Sequence, residues 1–312
     1  MASQTDKRIQ RFIQKERVQA GSLIISLFGD AVYPRGGSVW LGCLIRLLEP
    51  LQVNERLIRT AIFRLVKDDW LQTETQGRRT NYLLSASGVS RIAAASQHIY
   101  ASRSPVWDGQ WRLLMLSSEV TPKDKERLKK ALRWQGFGTW QNQAFVHPSA
   151  DLNQAFEGLQ REGLGHLQKC LWPIKAKGLP LQGRLSDSDV VAQTWGLDEL
   201  AMHYQQFVKT YQPLLDEWRY PLFSKDNLQK QTSFLLRLLL IHDYRRLLLR
   251  DPLLPADLLP AKWPGDAARD TCRALYECLL EPSEKFLDDE MQLADGRTTK
   301  SLKFLRQRFQ KC

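Results

Sequence analysis

The sequence has little cysteine and lacks the short motifs that mark several common enzyme classes. Only 5 of its 312 residues are cysteine, and no two of them have CxxC spacing. Neither a disulfide framework nor a zinc ribbon is therefore predicted. The motifs GxGxxG, GxxxxGK(S/T), HExxH and GxSxG are also absent, so nothing indicates a nucleotide-binding or hydrolase signature. We predict no metal ion, no cofactor and no catalytic residue.

Long hydrophobic runs are also missing. A membrane-spanning helix needs roughly 18 or more apolar residues in sequence, whereas the longest apolar run, Phe234 to Ile241, contains Arg237. The first 19 residues are rich in charge and lack the continuous apolar core of a signal peptide. We therefore predict a cytoplasmic protein with no membrane partner.

Acidic residues are too few to balance the basic ones, and the net charge is +11. Residues 1–103 contain 15 Lys and Arg against 8 Asp and Glu, whereas the remaining 209 residues contribute only +4. A basic segment attracts polyanions but does not select DNA, RNA or an anionic membrane. The polyanion-binding part is therefore expected in the N-terminal third.

Residues 54–84 predict a helix with a basic outer face, followed by a hairpin. Apolar residues recur at helical spacing from Leu57 to Val66, and Asn54 is the predicted N-cap. The hairpin pairs residues 70–75 with 80–84 around Gly77. The predicted DNA-binding residues lie on the helix, on the hairpin and in an upstream loop: Arg35, Arg56, Arg59, Thr60, Arg64, Lys67, Arg78 and Arg79.

Two further helices are predicted before this one, over residues 22–30 and 38–48, with Pro50 ending the second. Three helices followed by a hairpin with a basic tip are typical of a winged helix-turn-helix. Such a helix fits the major groove of B-DNA, and not the deep, narrow groove of A-form RNA. The alternative is a solvated basic helix beside an ordinary surface turn.

After a linker at residues 103–110, the chain alternates strands and helices in a βαββαβ-like order, which is typical of a small ferredoxin-like domain. One strand is predicted at residues 139–147, although this order requires two. A metal nuclease of this type would need clustered carboxylates where the first strand ends, but Ser117, Ser118 and Glu119 stand there. The pattern favours a packing or dimerising role over catalysis.

Two long helices are predicted in the C-terminal part, over residues 198–218 and 228–250. The second is apolar nearly all round in its first half, which marks a core element. His242, Arg246 and Arg250 follow one stripe of its second half. Either Asp243 and Asp251 pair with these arginines, or the cluster holds an anionic ligand with an aromatic group near Trp263 or Trp218.

These patterns predict an α+β protein with an N-terminal winged helix-turn-helix at 20–103, a central ferredoxin-like domain at 104–184, and a helical C-terminal domain at 185–290. Residues 291–312 form a basic tail in which Leu302, Leu305 and Phe309 have helical spacing. This spacing indicates a final amphipathic helix that docks by its apolar side. For its basic face, solvation is the ordinary outcome and contact with nucleic acid or a membrane is the alternative.

Four segments resemble the PaaX-like repressors of phenylacetic acid degradation operons. They are PRGGSVWLG (34–42), NERLIRTAIFRL (54–65), WDGQWRL (107–113) and LLIHDYRRLLLRDPLLPADLLPAKWPG (239–265). The resemblance implies a dimeric repressor that leaves its operator DNA when phenylacetyl-CoA binds, with residues 185–290 as its effector and dimerisation domain. It carries over the HDYRR and WPG positions. With Arg250 from the stripe of the second helix, the candidate ligand-binding residues are His242, Tyr244, Arg245, Arg246, Arg250 and Trp263.

The sequence thus predicts a homodimeric transcriptional repressor that is not an enzyme, with double-stranded operator DNA and phenylacetyl-CoA as partners. Two alternatives stay open. One is an enzyme that acts on a CoA thioester with His242 as its base, although no nucleophile or oxyanion motif lies near His242 in sequence. The other is a nucleic-acid-binding protein without a ligand.

Overall fold

The computed structural model describes residues 3–14, 19–178, 186–219, 227–301 and 308–309. It combines α-helices with two small antiparallel sheets and divides into two compact units. Unit 1 contains the described parts of 1–102, 205–246 and 267–312, and unit 2 contains those of 103–204 and 247–266. Within the described ranges, no helix is long and apolar enough to cross a membrane.

The N-terminal part of unit 1 is mostly helical. Its helices are α1 (Gln4–Ile13), α2 (Ala20–Leu27), α3 (Leu41–Leu48), α4 (Glu55–Lys67) and α5 (Ala86–Ile99). A π-helical turn, Phe28–Val32, continues α2, and a short 3-10 turn, Glu49–Leu51, holds Pro50 after α3. Helix α1 was not predicted from the sequence. It begins with a capping box in which Ser3 and Asp6 satisfy each other's backbone N–H groups.

The sheet of unit 1 has three antiparallel strands, β1 (Ser38–Trp40), β2 (Leu71–Gln76) and β3 (Arg79–Leu84), in the order β1-β3-β2. The prediction of helix from Ser38 onward was wrong, since its first three residues form β1 and pair with β3. Hydrogen bonding to β3 overrides the helical pattern there. Gly77 has a φ of +61° in the hairpin turn, a conformation that glycine adopts at little cost.

Three long helices cover the C-terminal part: α9 (Leu197–Arg219), α10 (Asn227–Leu248) and α11 (Pro264–Glu290). The first two match the predicted helices within one or two residues, whereas α11 was not delimited from the sequence. In unit 1, buried residues of α2, α3 and α4 share one apolar core with four residues of α10, namely Phe234, Leu235, Leu238 and Leu239. This shared core explains why the compact units differ from the predicted sequence ranges.

Unit 2 contains a four-stranded antiparallel sheet with two helices in a βαββαβ order. The strands are β4 (Trp111–Leu116), β5 (Gly138–Trp140), β6 (Ala144–His147) and β7 (Leu171–Ala176), and the two helices are α6 (Pro122–Arg133) and α7 (Leu152–Arg161). A further helix, α8 (Asp187–Thr194), follows β7. The strand order β5-β6-β4-β7 is that of a ferredoxin-like domain. The single strand predicted at 139–147 is two strands, because Gln141 and Asn142 turn the chain with positive φ.

His147 at the end of β6 is a buried, neutral histidine. Its Nδ1 accepts hydrogen bonds from the backbone N–H groups of Ser149 (3.0 Å) and Ala150 (2.8 Å), and its Nε2 lies 3.3 Å from the carbonyl oxygen of Pro252. Burial lowers the pKa of His147 to about 4, and the positive charge of Arg112 acts in the same direction.

A buried ionic network surrounds Asp30, which lies in the π-helical turn of unit 1. The Arg237 Nε is 2.7 Å from Asp30 Oδ2, and the Arg237 Nη1 is 2.5 Å from Glu284 Oε1. Arg308 Nη1 is 2.8 Å from Asp30 Oδ1. Burial alone would raise the pKa of Asp30, but the guanidinium charges of Arg237 and Arg308 outweigh it and hold that pKa below its usual value.

Part of the predicted basic tail is packed rather than solvated. Leu302 and Leu305 lie outside the described residues, whereas the Phe309 side chain is only 3% exposed. Its ring meets those of Tyr100 and Tyr276 at centroid distances of 5.2 and 5.4 Å. Phe309 thus lies inward, as docking of the tail requires. The expectation of a solvated basic face is wrong at Arg308, whose side chain is 6% exposed beside Asp30.

Candidate nucleic-acid interface and anion-binding cluster

Helix α4 has a buried apolar side and an exposed basic side. It begins where predicted, because the Asn54 Oδ1 accepts a hydrogen bond of 2.8 Å from the Leu57 N–H. Four of the predicted apolar residues are buried, Ile58, Ala61, Ile62 and Leu65. Leu57, which was assigned to the same side, is 36% exposed. The five predicted DNA-binding residues of the helix are all exposed: Arg56, Arg59, Thr60, Arg64 and Lys67.

The charges on this face are largely uncompensated. The Arg59 guanidinium contacts Glu55 one turn earlier at 2.6 Å, with both side chains more than half exposed. Such an exposed pair is worth about 0.5 kcal/mol and is readily exchanged for another anion. Within the described chain, no carboxylate lies within 4 Å of Arg56, Arg64 or Lys67. The face therefore presents cationic donors to solvent.

Phe63 lies in the middle of the basic face. Its side chain is 71% exposed, and among the large hydrophobic residues that the structure describes only Val106 is more exposed. Arg59 and Lys67 stand four residues before and after it, so the three side chains follow one stripe of the helix. The exposed face thus offers an apolar group between cations.

The hairpin presents one of its two predicted arginines freely. Arg78 is exposed in the turn beside Gly77. Arg79 instead belongs to β3, where its guanidinium lies 4.6 Å from the centroid of the Trp40 ring and donates to the Ala294 carbonyl oxygen at 3.3 Å. Arg78 is therefore the more available donor, and Arg79 is partly held by its own unit.

Arg35 was predicted to bind DNA, and the structure corrects this. Its side chain is completely buried, with Nη2 at 2.6 Å from Glu284 and Nη1 at 2.7 Å from Asp288. Nη1 also donates to the Thr299 carbonyl oxygen. A guanidinium with these partners is unavailable to a phosphate, so Arg35 is a structural residue that joins the loop before β1 to α11.

The HDYRR segment lies on the second half of α10 and contacts α2. The Arg245 Nη2 donates to the Ser22 hydroxyl at 2.7 Å and to the Ser22 carbonyl at 3.1 Å, and its Nε donates to the Ser26 hydroxyl at 3.0 Å. The Ser26 hydroxyl also lies 3.1 Å from Nδ1 of His242. Burial, together with the charge of Arg246, lowers the pKa of Arg245 to about 10.

The other predicted ligand residues are dispersed. Tyr244 is buried against Phe207 at a ring distance of 5.5 Å, and Arg246 is half-buried. Arg250 and Trp263 belong to unit 2, where Arg250 is exposed and Trp263 is 8% exposed. The structure therefore places His242, Tyr244, Arg245 and Arg246 together on α10, and the other two in the other unit.

Neither predicted carboxylate partner pairs with the HDYRR arginines in the way that was expected. Asp243 lies 2.5 Å from Arg8 of α1 and accepts a hydrogen bond from the Tyr211 hydroxyl at 3.0 Å. Asp251 accepts a hydrogen bond from the Tyr204 hydroxyl. Both carboxylates thus contact residues that are distant in sequence rather than the nearby arginines.

Comparison with known proteins gives a consistent result along the chain. The PaaX-like protein family matches residues 19–88, the PaaX protein central Cas2-like domain matches 104–171, and the PaaX-like protein C-terminal domain matches 195–289. The chain is 36% identical over 299 residues to the transcriptional repressor PaaX of Escherichia coli strain K12, covering 94% of this chain and 91% of that protein.

The fold also has a counterpart among solved structures. An uncharacterized protein from Mycobacterium tuberculosis superposes with a TM-score of 0.54 at 20% identity, covering 86% of this chain and 98% of that one. A similarity at this identity shows the fold alone.

Proposed function

Because the chain belongs to the PaaX-like family, we propose that it is a DNA-binding transcriptional repressor of phenylacetic acid catabolism genes, released from its operator by phenylacetyl-CoA. The observation that carries this proposal is the exposed basic face of α4, whose cations are free to meet phosphates and base edges. The relative from Escherichia coli is named a transcriptional repressor.

The arrangement of unit 1 supports a winged helix-turn-helix as the DNA reader. Helices α2, α3 and α4 share one core, and the β2–β3 hairpin follows α4 directly. In this motif the third helix enters the major groove and the hairpin forms the wing. Helix α4 would then read base edges, and Arg78 would contact a phosphate or the minor groove.

The cluster around Arg245 supports an anionic effector. Phenylacetyl-CoA combines several phosphates with a flat apolar acyl group, and arginine forms strong charge-assisted hydrogen bonds with phosphate. Arg246 is adjacent and adds a second cation. To change a repressor from mostly bound to mostly free, the effector must favour one state by about 5 kcal/mol, which a few such bonds can supply.

A homodimer is part of the proposal, because two copies of α4 can read two half-sites of an operator about one helical turn apart. The enzyme alternative has less support. Ser26 and His242 are within hydrogen-bonding distance, but their side chains are only 1% and 3% exposed, so neither is presented to a substrate. The remaining alternative is a nucleic-acid-binding protein without an effector. It differs from the proposed repressor because its DNA affinity would not change when phenylacetyl-CoA is added.

Titration of the protein against its own promoter DNA, with and without phenylacetyl-CoA and at several salt concentrations, tests the function directly. We expect tight binding that weakens steeply with salt, because cations on α4 displace counterions from phosphates. Phenylacetyl-CoA is expected to reduce the affinity at every salt concentration. An unchanged affinity would refute the effector, and binding no tighter than to random DNA would refute the operator reader.

The same titration distinguishes base readers from phosphate contacts. Arg64→Ala is expected to cost about 1 to 3 kcal/mol on promoter DNA and much less on random DNA, because a base contact is lost. Arg78→Ala is expected to weaken binding to both sequences alike. Arg127→Ala on α6 is the control, since that side chain is exposed in unit 2. Equal losses on both DNAs for Arg64→Ala would make Arg64 a phosphate contact.

Phe63 gives a second prediction about specificity. The only apolar group on the major-groove edge of a base pair is the 5-methyl of thymine, which an exposed phenyl ring can contact. We expect Phe63→Ala to weaken promoter binding about fivefold to tenfold, the scale of one lost apolar contact. Thermal unfolding should be unaffected, because the ring is exposed.

A matched change in the DNA makes this prediction specific. Thymine is replaced by uracil, one position at a time, in promoter DNA, which removes only the methyl group. At the contacted position, the wild type should lose affinity and Phe63→Ala should not. If every uracil substitution affects both proteins equally, Phe63 does not read thymine.

A further inference from the structure

Helices α2 and α10 of unit 1 are joined by polar contacts that come mainly from one side chain. Arg245 on α10 makes three hydrogen bonds of 2.7 to 3.1 Å, all to Ser22 and Ser26 on α2. His242, one turn earlier, reaches the same Ser26 hydroxyl at 3.1 Å. Residues of both helices also lie in one apolar core, but the hydrogen bonds between the two helices come mainly from Arg245.

Arg245 is a partly buried cation whose partners are all neutral. Other buried arginines of unit 1 have carboxylates: Arg8 contacts Asp243 at 2.5 Å, and Arg237 contacts Asp30 at 2.7 Å. Among the described residues, no carboxylate lies within 4 Å of Arg245. A guanidinium loses hydration when it is buried, and hydrogen bonds to neutral acceptors replace that hydration only in part. Its lowered pKa agrees with this.

An anion at this place would be a better acceptor than the α2 groups. Hydrogen bonds between a guanidinium and a phosphate oxygen are roughly twice as strong as bonds to neutral partners, and the guanidinium can offer two at once. The half-buried Arg246 lies next in sequence and would add to the attraction. The N–H groups that Arg245 donates to Ser22 and Ser26 cannot also all donate to a phosphate at the same time.

We infer that Arg245 is a donor shared between two states: it binds Ser22 and Ser26 of α2 in the free protein and a phosphate group of the anionic effector in the liganded one. This inference rests on the proposed function and adds its mode of regulation. Ligand binding then breaks the hydrogen bonds of Arg245 between α10 and α2. Because α2 packs directly against α4 in the same core, the support of the DNA-reading helix changes with it.

A shared donor and a purely structural arginine differ in how the loss of the α2 hydroxyls changes the affinity for the ligand. The combined Ser22→Ala and Ser26→Ala variant loses hydroxyls that stabilise only the free state, so phenylacetyl-CoA should bind about tenfold more tightly than to the wild type. Calorimetric titration without DNA measures this. In a two-state scheme, the factor by which ligand binding tightens and the factor by which DNA binding of the ligand-free variant weakens multiply to about ten, so promoter affinity should change little while the α2-bound state predominates.

Arg245→Gln is the second variant, and it should lose most of its affinity for phenylacetyl-CoA because the guanidinium is absent. Circular dichroism and thermal unfolding check that each variant is folded. Ser90→Ala on α5 and Arg273→Ala on α11 are controls, since both side chains are exposed in unit 1. The milder Ser22→Ala change repeats the test if the double variant fails to fold.

Coenzyme A and inorganic pyrophosphate separate this inference from the choice of effector. If phenylacetyl-CoA does not bind but pyrophosphate binds the wild type and not Arg245→Gln, the effector is wrong and the anion site stands. If phenylacetyl-CoA binds and the serine variant shows equal or weaker affinity, the shared-donor inference is overturned. Binding of none of the three probes overturns both.

Discussion

Replacing Arg237 with alanine is expected to lower the free energy of unfolding by about 3 to 5 kcal/mol, the usual result of removing one partner from a buried ion pair. Arg237 is 1% exposed and contacts Asp30 and Glu284. Its loss leaves the buried Asp30 carboxylate with Arg308 as its remaining charged partner. Urea-induced unfolding followed by circular dichroism measures the change.

A second substitution in the same network and a substitution at an exposed ion pair test whether buried charge causes this loss of stability. Adding Glu284→Gln to Arg237→Ala removes the excess negative charge, since Arg308 keeps Asp30 and Arg35 keeps Asp288, and should recover part of the lost stability, which a simple packing defect would not do. Arg273→Ala breaks an exposed pair with Asp270 at 3.4 Å and should cost less than about 0.5 kcal/mol. A loss below about 1 kcal/mol for Arg237→Ala would contradict the central role of the network.

Acidification is expected to destabilise the protein through His147. The pKa of this side chain is lowered by burial from 6.5 to about 4, so the unfolded chain binds a proton that the folded protein refuses. Above pH 6.5 the residue is neutral in both states and has no effect. As the pH falls from 6.5 to about 4, it should remove about 3 kcal/mol of unfolding free energy.

The matched variant is His147→Asn. An asparagine Oδ1 can replace Nδ1 as the acceptor for the N–H groups of Ser149 and Ala150, but it does not titrate. Carboxylates such as Asp30 and Glu284 affect both proteins alike, so the difference between the two stability curves isolates the histidine. That difference should grow from pH 6.5 downward, and parallel curves would show that His147 is accessible to protons.

Local features of the sequence predicted the local structure well. Helix α4 begins after Asn54 as its cap requires, and the hairpin turns at Gly77. Each of these depends on side-chain spacing and on hydrogen bonds within a few residues. The βαββαβ order of unit 2 also follows from local alternation, since short connections leave few other sheet orders.

Contacts between distant parts of the chain were not predictable in the same way. Arg35 looks like any basic loop residue, because its carboxylate partners lie about 250 positions later. One of the two interpretations paired Asp243 with arginines on its own helix, but Arg8 near the N-terminus contacts it. The only local sign was that α10 is apolar almost all round, which demands burial without naming a neighbour. The predicted effector residues and the dimer stay predictions.

The shared core of unit 1 limits how such a regulator can evolve. A DNA reader that moves between proteins by recombination must close its own apolar core, but α2, α3 and α4 close theirs with Phe234 and neighbouring residues of α10. A fragment ending near residue 103 would expose that surface to water. For the DNA reader that we propose, new operator preferences are therefore expected to arise by substitutions on α4 rather than by exchange of the whole N-terminal segment.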